Sequence, residues 1–519
     1  MNREKKSYYW AKPLLILLTA SISVFFFNRL IDEIFHPFFT EIFSGVIFSK
    51  HLDTILNSFG NMGEVVTSVL GIEITAVAII VQLAANKYSS KIMELFITDT
   101  VNFVIVAIYV VAGTNTILLA NTMHEGDIPY FSIFVTLLLL IASIIIVIPH
   151  FTYVFNFLRP TNFLSQIETN AKKIIKEVAE KGECIEGKRD SLAEKIDFIG
   201  DVSLNSFYQS DRAVTLMTVN TLKNILNYYL SLKTKLPDKW FKLSGKETLD
   251  PDFADYSNFV MKRIEEQKVL LERKVFRLYE MLFIKSKATQ RDIASGVLLN
   301  SRLIFSHAVK FSDRGAMWTI IQYFNSFLRA SITSHDPRSA FNTLEHYRLM
   351  AEELLNQHND LVEKIYFFFK YYGQEANKYQ VFFILETAAH DLYFLTRLAF
   401  EKKVENFEHL LDLFLTLDQP IEENGDSQSE ISLIGVRIAQ AKLAAFFIHE
   451  NAIHYAKRIY EDMLVEPKSR IDKIKDIIFE TDTSEFWEIT PRGINFYYVE
   501  EADKEALKTF FDWFENGNT

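Results

Sequence analysis

Cysteine is almost absent. Cys184 is the only one in 519 residues, so no intrachain disulfide and no thiolate metal cluster can form. A basic stripe is missing too. The chain holds 55 Lys and Arg against 66 Asp and Glu, a net charge of -11, and nucleic-acid phosphates need clustered cations that this sequence does not offer. Several chemical motifs are lacking as well. There is no G-x-S-x-G elbow. The string "LSGKET" around Gly245 and Lys246 has neither the upstream glycine nor the hydroxyl directly after the lysine that a phosphate loop requires. His449 and His454 stand five apart in "HENAIH", about 140° apart around a helix, so they cannot share a metal as an i, i+4 pair does. No catalytic residue, cofactor or metal is expected.

What is present is a split. The hydrophobic fraction of 49% is ordinary for a soluble protein, but the long apolar runs crowd residues 1–158. Residues 1–160 carry only 9 Lys and Arg and 11 Asp and Glu. A helix crossing a bilayer core needs about 20 mostly apolar residues, and four stretches qualify: 13–31, 63–85, 101–121 and 130–153. The first is too long for a signal-peptide core and lacks a small-residue cleavage site, so it reads as a retained helix. Charge gives the orientation. Arg3, Lys5, Lys6 and Lys12 precede the first span, Lys87 and Lys91 follow the second, and Arg159, Lys172, Lys173 and Lys176 follow the fourth. The 1–2 loop, with Asp32, Glu33, Glu41 and Asp53, and the 3–4 loop, with Glu125 and Asp127, are acidic. Both termini are therefore expected in the cytoplasm, with the spans in contact with membrane lipid.

Polar residues inside the spans are the candidate functional groups. Glu73 lies near the middle of the second span, where a carboxylate costs roughly 2.5–3.5 kcal/mol. Small or polar residues at Thr67, Gly71, Thr75, Ala78, Gln82 and Ala85 build what reads as a close-packing face. Glu73 sits about 200° around from Gly71. If the small face packs inside the protomer, Glu73 looks toward a neighbouring subunit, a cavity or a pore; otherwise it is protonated and hydrogen-bonded to another helix. The third span adds Asn102, Thr114, Asn115, Thr116 and Asn121, which serve either interhelical hydrogen bonds or a water-lined path. Pro149 and His150 predict a kink where the fourth span leaves the membrane, not a histidine ligand.

From Arg159 onward the chain reads as amphipathic helices, as in "DRAVTLMTVNTLKNILNYYLSL" and "NFEHLLDLFLTL". Turn clusters punctuate them near 180–190, 235–252, 334–339 and 417–430. "FWEITPRGINFYYVE" alternates and turns at 491–493, predicting one short hairpin before a final helix through Trp513. "SDR" occurs at 210–212 and again at 312–314, each followed by an amphipathic helix, and the first has the form of a helix N-terminus with Ser210 or Asp211 capping. The expected fold is all-α: a four-helix transmembrane domain over 1–158, a helical membrane-proximal region over 159–232, and a helical domain over 253–519 resembling an α-solenoid, without a fixed repeat period.

The string "ITAVAIIVQLAANKYSSKIMELFITDTVNFVIVAIYVVAGTNTILL", from Ile74 to Leu119, resembles the core of an uncharacterised bacterial membrane protein family, domain of unknown function 2254. "PHFTYVFNFL" at 149–158 and "FIGDVSLNSFYQSDRAVTLMTVNTLKNIL" at 198–226 extend the resemblance, which covers roughly 60–230. It implies the four-helix topology and transfers no catalytic residue. Gln82, Asn86 and Ser89 are the matching polar positions, expected to cap the elbow between the second and third helices. Two functions follow. One is an oligomeric, channel-like ion conduit, with Glu73, Gln82, Asn86, Asn102, Thr114 and Asn115 as candidate pore or intramembrane polar groups, regulated by the cytoplasmic domain. The other is a non-conducting, membrane-anchored scaffold or signalling protein whose cytoplasmic domain binds a protein partner.

Overall fold

The computed structural model describes residues 3–43, 52–124, 128–182, 186–243, 250–419 and 430–516. Its chain divides into two compact units, Met1–Gln166 and Ile167–Thr519. The first comprises α1 (Arg3–Phe43), α2 (Leu52–Lys87), α3 (Lys91–Ile97), α4 (Thr100–Thr122), α5 (Tyr130–Ile145) and α6 (Val147–Phe157), and the division falls within α7 (Pro160–Lys181). Stretches of α1, α2 and α4 are long and apolar enough to cross a membrane. The pair α5 and α6, bent by 41°, makes a fourth when taken as one span. The bend falls at Ile146, three residues before Pro149, because proline has no N–H for the carbonyl four residues back and its ring crowds that carbonyl. Near Pro37 the same physics interrupts α1 at Phe35 (φ -114°, ψ 21°).

Helix α4 is apolar on all sides, as a central helix should be, and packs against α1, α2 and α5. Phe25, Phe59, Val66, Ile105, Ala112, Leu119, Ile133 and Leu140 form the core between them. At Gly63 the helices come close: a Cβ there would lie 3.1 Å from Thr116 Cγ2 of α4. Large apolar side chains also point outward, among them Phe26, Ile72, Leu83, Ile117 and Ile148. In water such a surface would drive association, whereas in hydrocarbon it is the ordinary exterior.

One acidic residue corrects the expected loop assignment. Asp32 is not in a loop, because α1 continues to Phe43, and its side chain is buried. Its two oxygens accept from Phe131 N (2.8 Å) and Ser132 N (2.9 Å), and from the Ser132 hydroxyl. Asp32 thus caps α5 from a different helix, satisfying amides that lipid could not. Asp32→Ala is expected to cost about 2 kcal/mol and to lower the thermal unfolding midpoint in detergent, with Asp32→Asn losing less. An unchanged midpoint for the alanine variant would show that the α5 amides find another acceptor.

The second unit is built of helices among its described residues: α8 (Glu186–Tyr208), α9 (Arg212–Leu232), α10 (Asn258–Gln267), α11 (Leu270–Ser286), α12 (Arg291–Lys310), α13 (Arg314–Thr333), α14 (Pro337–Leu354), α15 (Asn359–Lys378), α16 (Phe383–Glu401), α17 (Phe407–Leu415), α18 (Glu430–His449), α19 (Ile453–Met463), α20 (Lys468–Glu480) and α21 (Glu501–Asn516), with a non-helical segment between α20 and α21. They stack in two layers. Helices α9, α12, α14, α16, α18 and α21 follow one another in one layer, and α11, α13, α15 and α17 in the other. This is the solenoid-like array that the amphipathic spacing predicts, filled by aromatic side chains such as Phe276, Phe283, Phe324, Phe327 and Tyr347.

A single backbone device joins many of these helices. Ser210, Lys268, Ser312, His335, Gln380, Lys403 and Asn451 all have φ between 51° and 60°. In each case the next amide donates to the carbonyl five residues back, as Asp211 N does to Ser206 O and Val381 N to Ala376 O. The residue after the left-handed turn is then either an aspartate capping the following helix (Asp211, Asp313, Asp336) or a buried apolar residue (Val269, Val381, Val404, Ala452). The "SDR" echo marks two of these junctions, and the other five use different residues. Beyond α20, the expected hairpin reduces to a turn with Gly493 at φ +62° and one antiparallel bridge, Glu485 to Ile494, with no strand among the described residues. Side chains of this segment are drawn instead onto the helices of the array. Residues 244–249, within one predicted turn cluster, and 420–429, most of another, as well as Glu125, Asp127 and Cys184, lie outside the described residues.

Candidate functional site

Glu73 enters the core of the first unit from α2 and is 3% exposed. Its Oε1 lies 2.6 Å from His150 Nδ1 of α6. On the other side of the ring, His150 Nε2 is 3.2 Å from Asn102 Oδ1 of α4, and Asn102 Nδ2 donates to Phe96 O at 2.9 Å. That last contact fixes the protons. A carbonyl can only accept, so the Asn102 amide must turn its NH₂ toward Phe96 and its oxygen toward the ring, and His150 Nε2 must carry a hydrogen. Helix α4 begins just below, where Asp99 accepts from Val101 N and Asn102 N and from the Tyr153 hydroxyl of α6 (2.8 Å). Glu73, Asn102 and His150, with Tyr109, form the polar end of a cavity of about 510 Å³ whose other walls are apolar, including Leu14, Leu17, Val77 and Ile97.

Of the two facings left open for α2, the structure has the one in which Glu73 bonds to another helix. Thr67, Gly71, Thr75, Ala78 and Gln82 are exposed on the protomer, and Glu73 points inward. The energies explain it. Thr67 and Thr75 satisfy their hydroxyls on the carbonyls of Gly63 and Gly71, each at 2.8 Å, so this face needs no partner, whereas a carboxyl group in hydrocarbon does. Of the six candidate polar residues, Glu73 and Asn102 meet. Gln82 and Asn86 lie exposed on α2. Thr114 is half-buried, and Asn115 is buried about 20 Å further along α4, where it bonds to Val111 O (2.9 Å) and approaches Ser21 O of α1 (3.5 Å). They do not form one lining. His150, expected to mark only a kink, is the partner of Glu73, and it is the single histidine within the four predicted spans. An intramembrane acid calls for an intramembrane partner, and that reasoning alone would have found it.

Removing His150 strands a buried carboxyl group, so His150→Ala should destabilise the protein by about 3–5 kcal/mol. Glu73→Leu combined with His150→Leu should restore most of that loss. A loss in the double variant equal to the sum of the losses of Glu73→Leu and His150→Leu alone, in thermal unfolding, would show that the two groups act independently.

A second constellation, unseen in the sequence, lies in the other unit. Residues 481–500, between α20 and α21, cross α14, α16 and α18. Arg492 is the anchor. Its guanidinium pairs with both carboxylate oxygens of fully buried Asp391 on α16, lies 2.9 Å from Glu345 Oε2 on α14, and donates to Phe341 O at 3.2 Å. Burial raises the Asp391 pKa, opposed by Arg492 and Arg348. Four residues on, Phe496 stacks on His390 with ring centres 4.0 Å apart and on Phe383 at 5.9 Å. Lys442 of α18 donates to the carbonyls of Phe496 (2.9 Å) and Tyr498 (2.8 Å). The Tyr497 hydroxyl bonds Glu386 Oε2 at 3.1 Å. Gly435 of α18 makes room for Glu386, since a Cβ there would run into that side chain. His390 is held well below the ordinary imidazole range by burial and then by Lys442, Arg492 and Arg348, and burial lowers Lys442 to about 8.

Burial lifts the Glu386 carboxyl group to about 7 against the pull of Tyr497. Between its ordinary pKa of 4.5 and 7, the folded chain keeps a proton that the unfolded chain has released. The resulting stability is fully present at low pH and is lost as pH rises through 7. Wild type should therefore lose stability relative to Glu386→Gln between pH 5 and pH 8, measured by thermal unfolding at each pH. Parallel curves would mean that Glu386 is ionised throughout.

Residues 6–201 match the model of a family described as predicted membrane protein, DUF2254, the family that Ile74–Leu119 resembles. The match takes in Glu73, Asn102 and His150 and ends within α8, so the helices that hold Arg492 lie beyond it. No curated protein matches the chain, and no solved structure does.

Proposed function

We propose that this membrane protein is a non-conducting anchored scaffold of a bacterial inner membrane, with both termini cytoplasmic and its helical array binding a cytoplasmic protein partner. The observation that carries this reading is the 2.6 Å contact between Glu73 and His150 within one protomer. A carboxylate in a membrane span calls for a pore or for a partner, and this one has a partner. The six candidate polar residues give no continuous lining, and stacked helix pairs of the second unit build the kind of extended surface that commonly binds other chains.

A second reading, an oligomeric conduit, draws on the outward small-residue face of α2, from Thr67 to Gln82, which would allow close helix approach between copies. Ion flux separates the two. Wild type and Glu73→Gln, each reconstituted into vesicles, are expected to pass no ions above protein-free vesicles. Flux by wild type that falls in Glu73→Gln would overturn the scaffold reading in favour of the conduit.

A further inference from the structure

Residues 484–499 lie on the array much as a bound peptide would. They have no regular secondary structure beyond one bridge, and each of their main attachments is to a different helix: Arg492 to Asp391 and Glu345, Phe496 to His390, Tyr497 to Glu386, and two carbonyls to Lys442. The receiving surface is built for such an occupant. Asp391 is 0% exposed and takes the guanidinium group of the segment, Lys442 is 8% exposed and presents its ammonium group to main-chain carbonyls rather than to a carboxylate, and His390 offers a neutral ring face. A buried acid recognises a guanidinium group, a lysine aimed at carbonyls recognises backbone, and the ring recognises an aromatic side chain. None of these is needed to close a helical array, where leucine would pack more cheaply.

We propose that the surface of α14, α16 and α18 is a peptide-binding site, that it takes an extended segment with arginine followed by aromatic residues four and five positions later, and that residues 484–499 are its tethered occupant. This rests on the scaffold reading and names the chemistry of the partner: a protein segment of the form Arg-x-x-x-Phe-Tyr that displaces the chain's own. Displacement conserves charge as well as shape, since one arginine replaces another on Asp391 and no buried charge is left unpaired at the end of the exchange. A tethered segment competes at an effective concentration in the millimolar range, so weakening it unmasks the site.

The test uses the full chain in nanodiscs and a fluorescent synthetic peptide of residues 484–499. Wild type should bind it weakly. Arg492→Ala, which loosens the tethered segment, should bind it about tenfold more tightly or better, a peptide with alanine in place of arginine should bind neither, and adding Asp391→Asn to Arg492→Ala should abolish the gain. If Arg492→Ala does not accumulate as folded protein, Tyr497→Phe, which removes only the hydrogen bond to Glu386, should give a gain of about threefold. A folded, loosened variant that binds the peptide no better than wild type, or binds the alanine peptide equally well, would overturn the proposal and leave the segment as part of the fold. The flux measurement, on the same purified protein in vesicles, fails or succeeds separately: ion flux with peptide binding would sink the non-conducting reading while keeping the site.

Discussion

A carboxyl group cannot be left facing hydrocarbon, and the first unit is arranged around that constraint. Glu73 decides which side of α2 turns inward, because its need for a partner outweighs the packing advantage of the small residues on the opposite side. Once α2 is turned, α6 must bring His150 to it, which the bend before Pro149 permits, and α4 must bring Asn102, whose orientation is set in turn by the Phe96 carbonyl. Asp32 obeys the same rule at another depth. There the unsatisfied groups are the first amides of α5, and an acid from α1 reaches across to take them.

Much of this was legible in the sequence, and one part of it was legible only as a pair of alternatives. The four apolar spans, the amphipathic helices after Arg159 and the final helix through Trp513 follow from hydropathy and spacing, which tertiary contacts do not alter. The facing of α2 does not follow from spacing alone. Two rules applied to the same helix, small residues pack and acids hide, and they pointed to opposite sides. Their order is settled by energy: a threonine returns its hydroxyl to its own helix at little cost, and a glutamate has no such recourse. Asp32 was misplaced for a simpler reason, since an acidic cluster reads as loop until the helix is known to run on to Phe43.

In the second unit the repeated element is a backbone conformation and not a residue pattern. Seven junctions share the left-handed turn and the reach back to a carbonyl, yet serine, lysine, histidine, glutamine and asparagine all fill the turn position. The penalty of roughly 1–2 kcal/mol for such a residue in that conformation is small beside the burial of the aromatic side chains that each junction brings together. That is why an array is visible in the sequence while its period is not. The Arg492 site lies deeper still: it joins residues 101 and 147 positions apart, at Asp391 and Glu345, and no local signal relates them.

The position of that arginine so near the end of the chain has a consequence for the order of events in the cell. Translation delivers Asp391 first, Lys442 later and Arg492 last. Ribosomes add about 5–20 residues per second, so the segment follows the last of the three helices that receive it by several seconds. On the proposed reading, a nascent chain would offer the surface of α14, α16 and α18 to another segment before its own arrives.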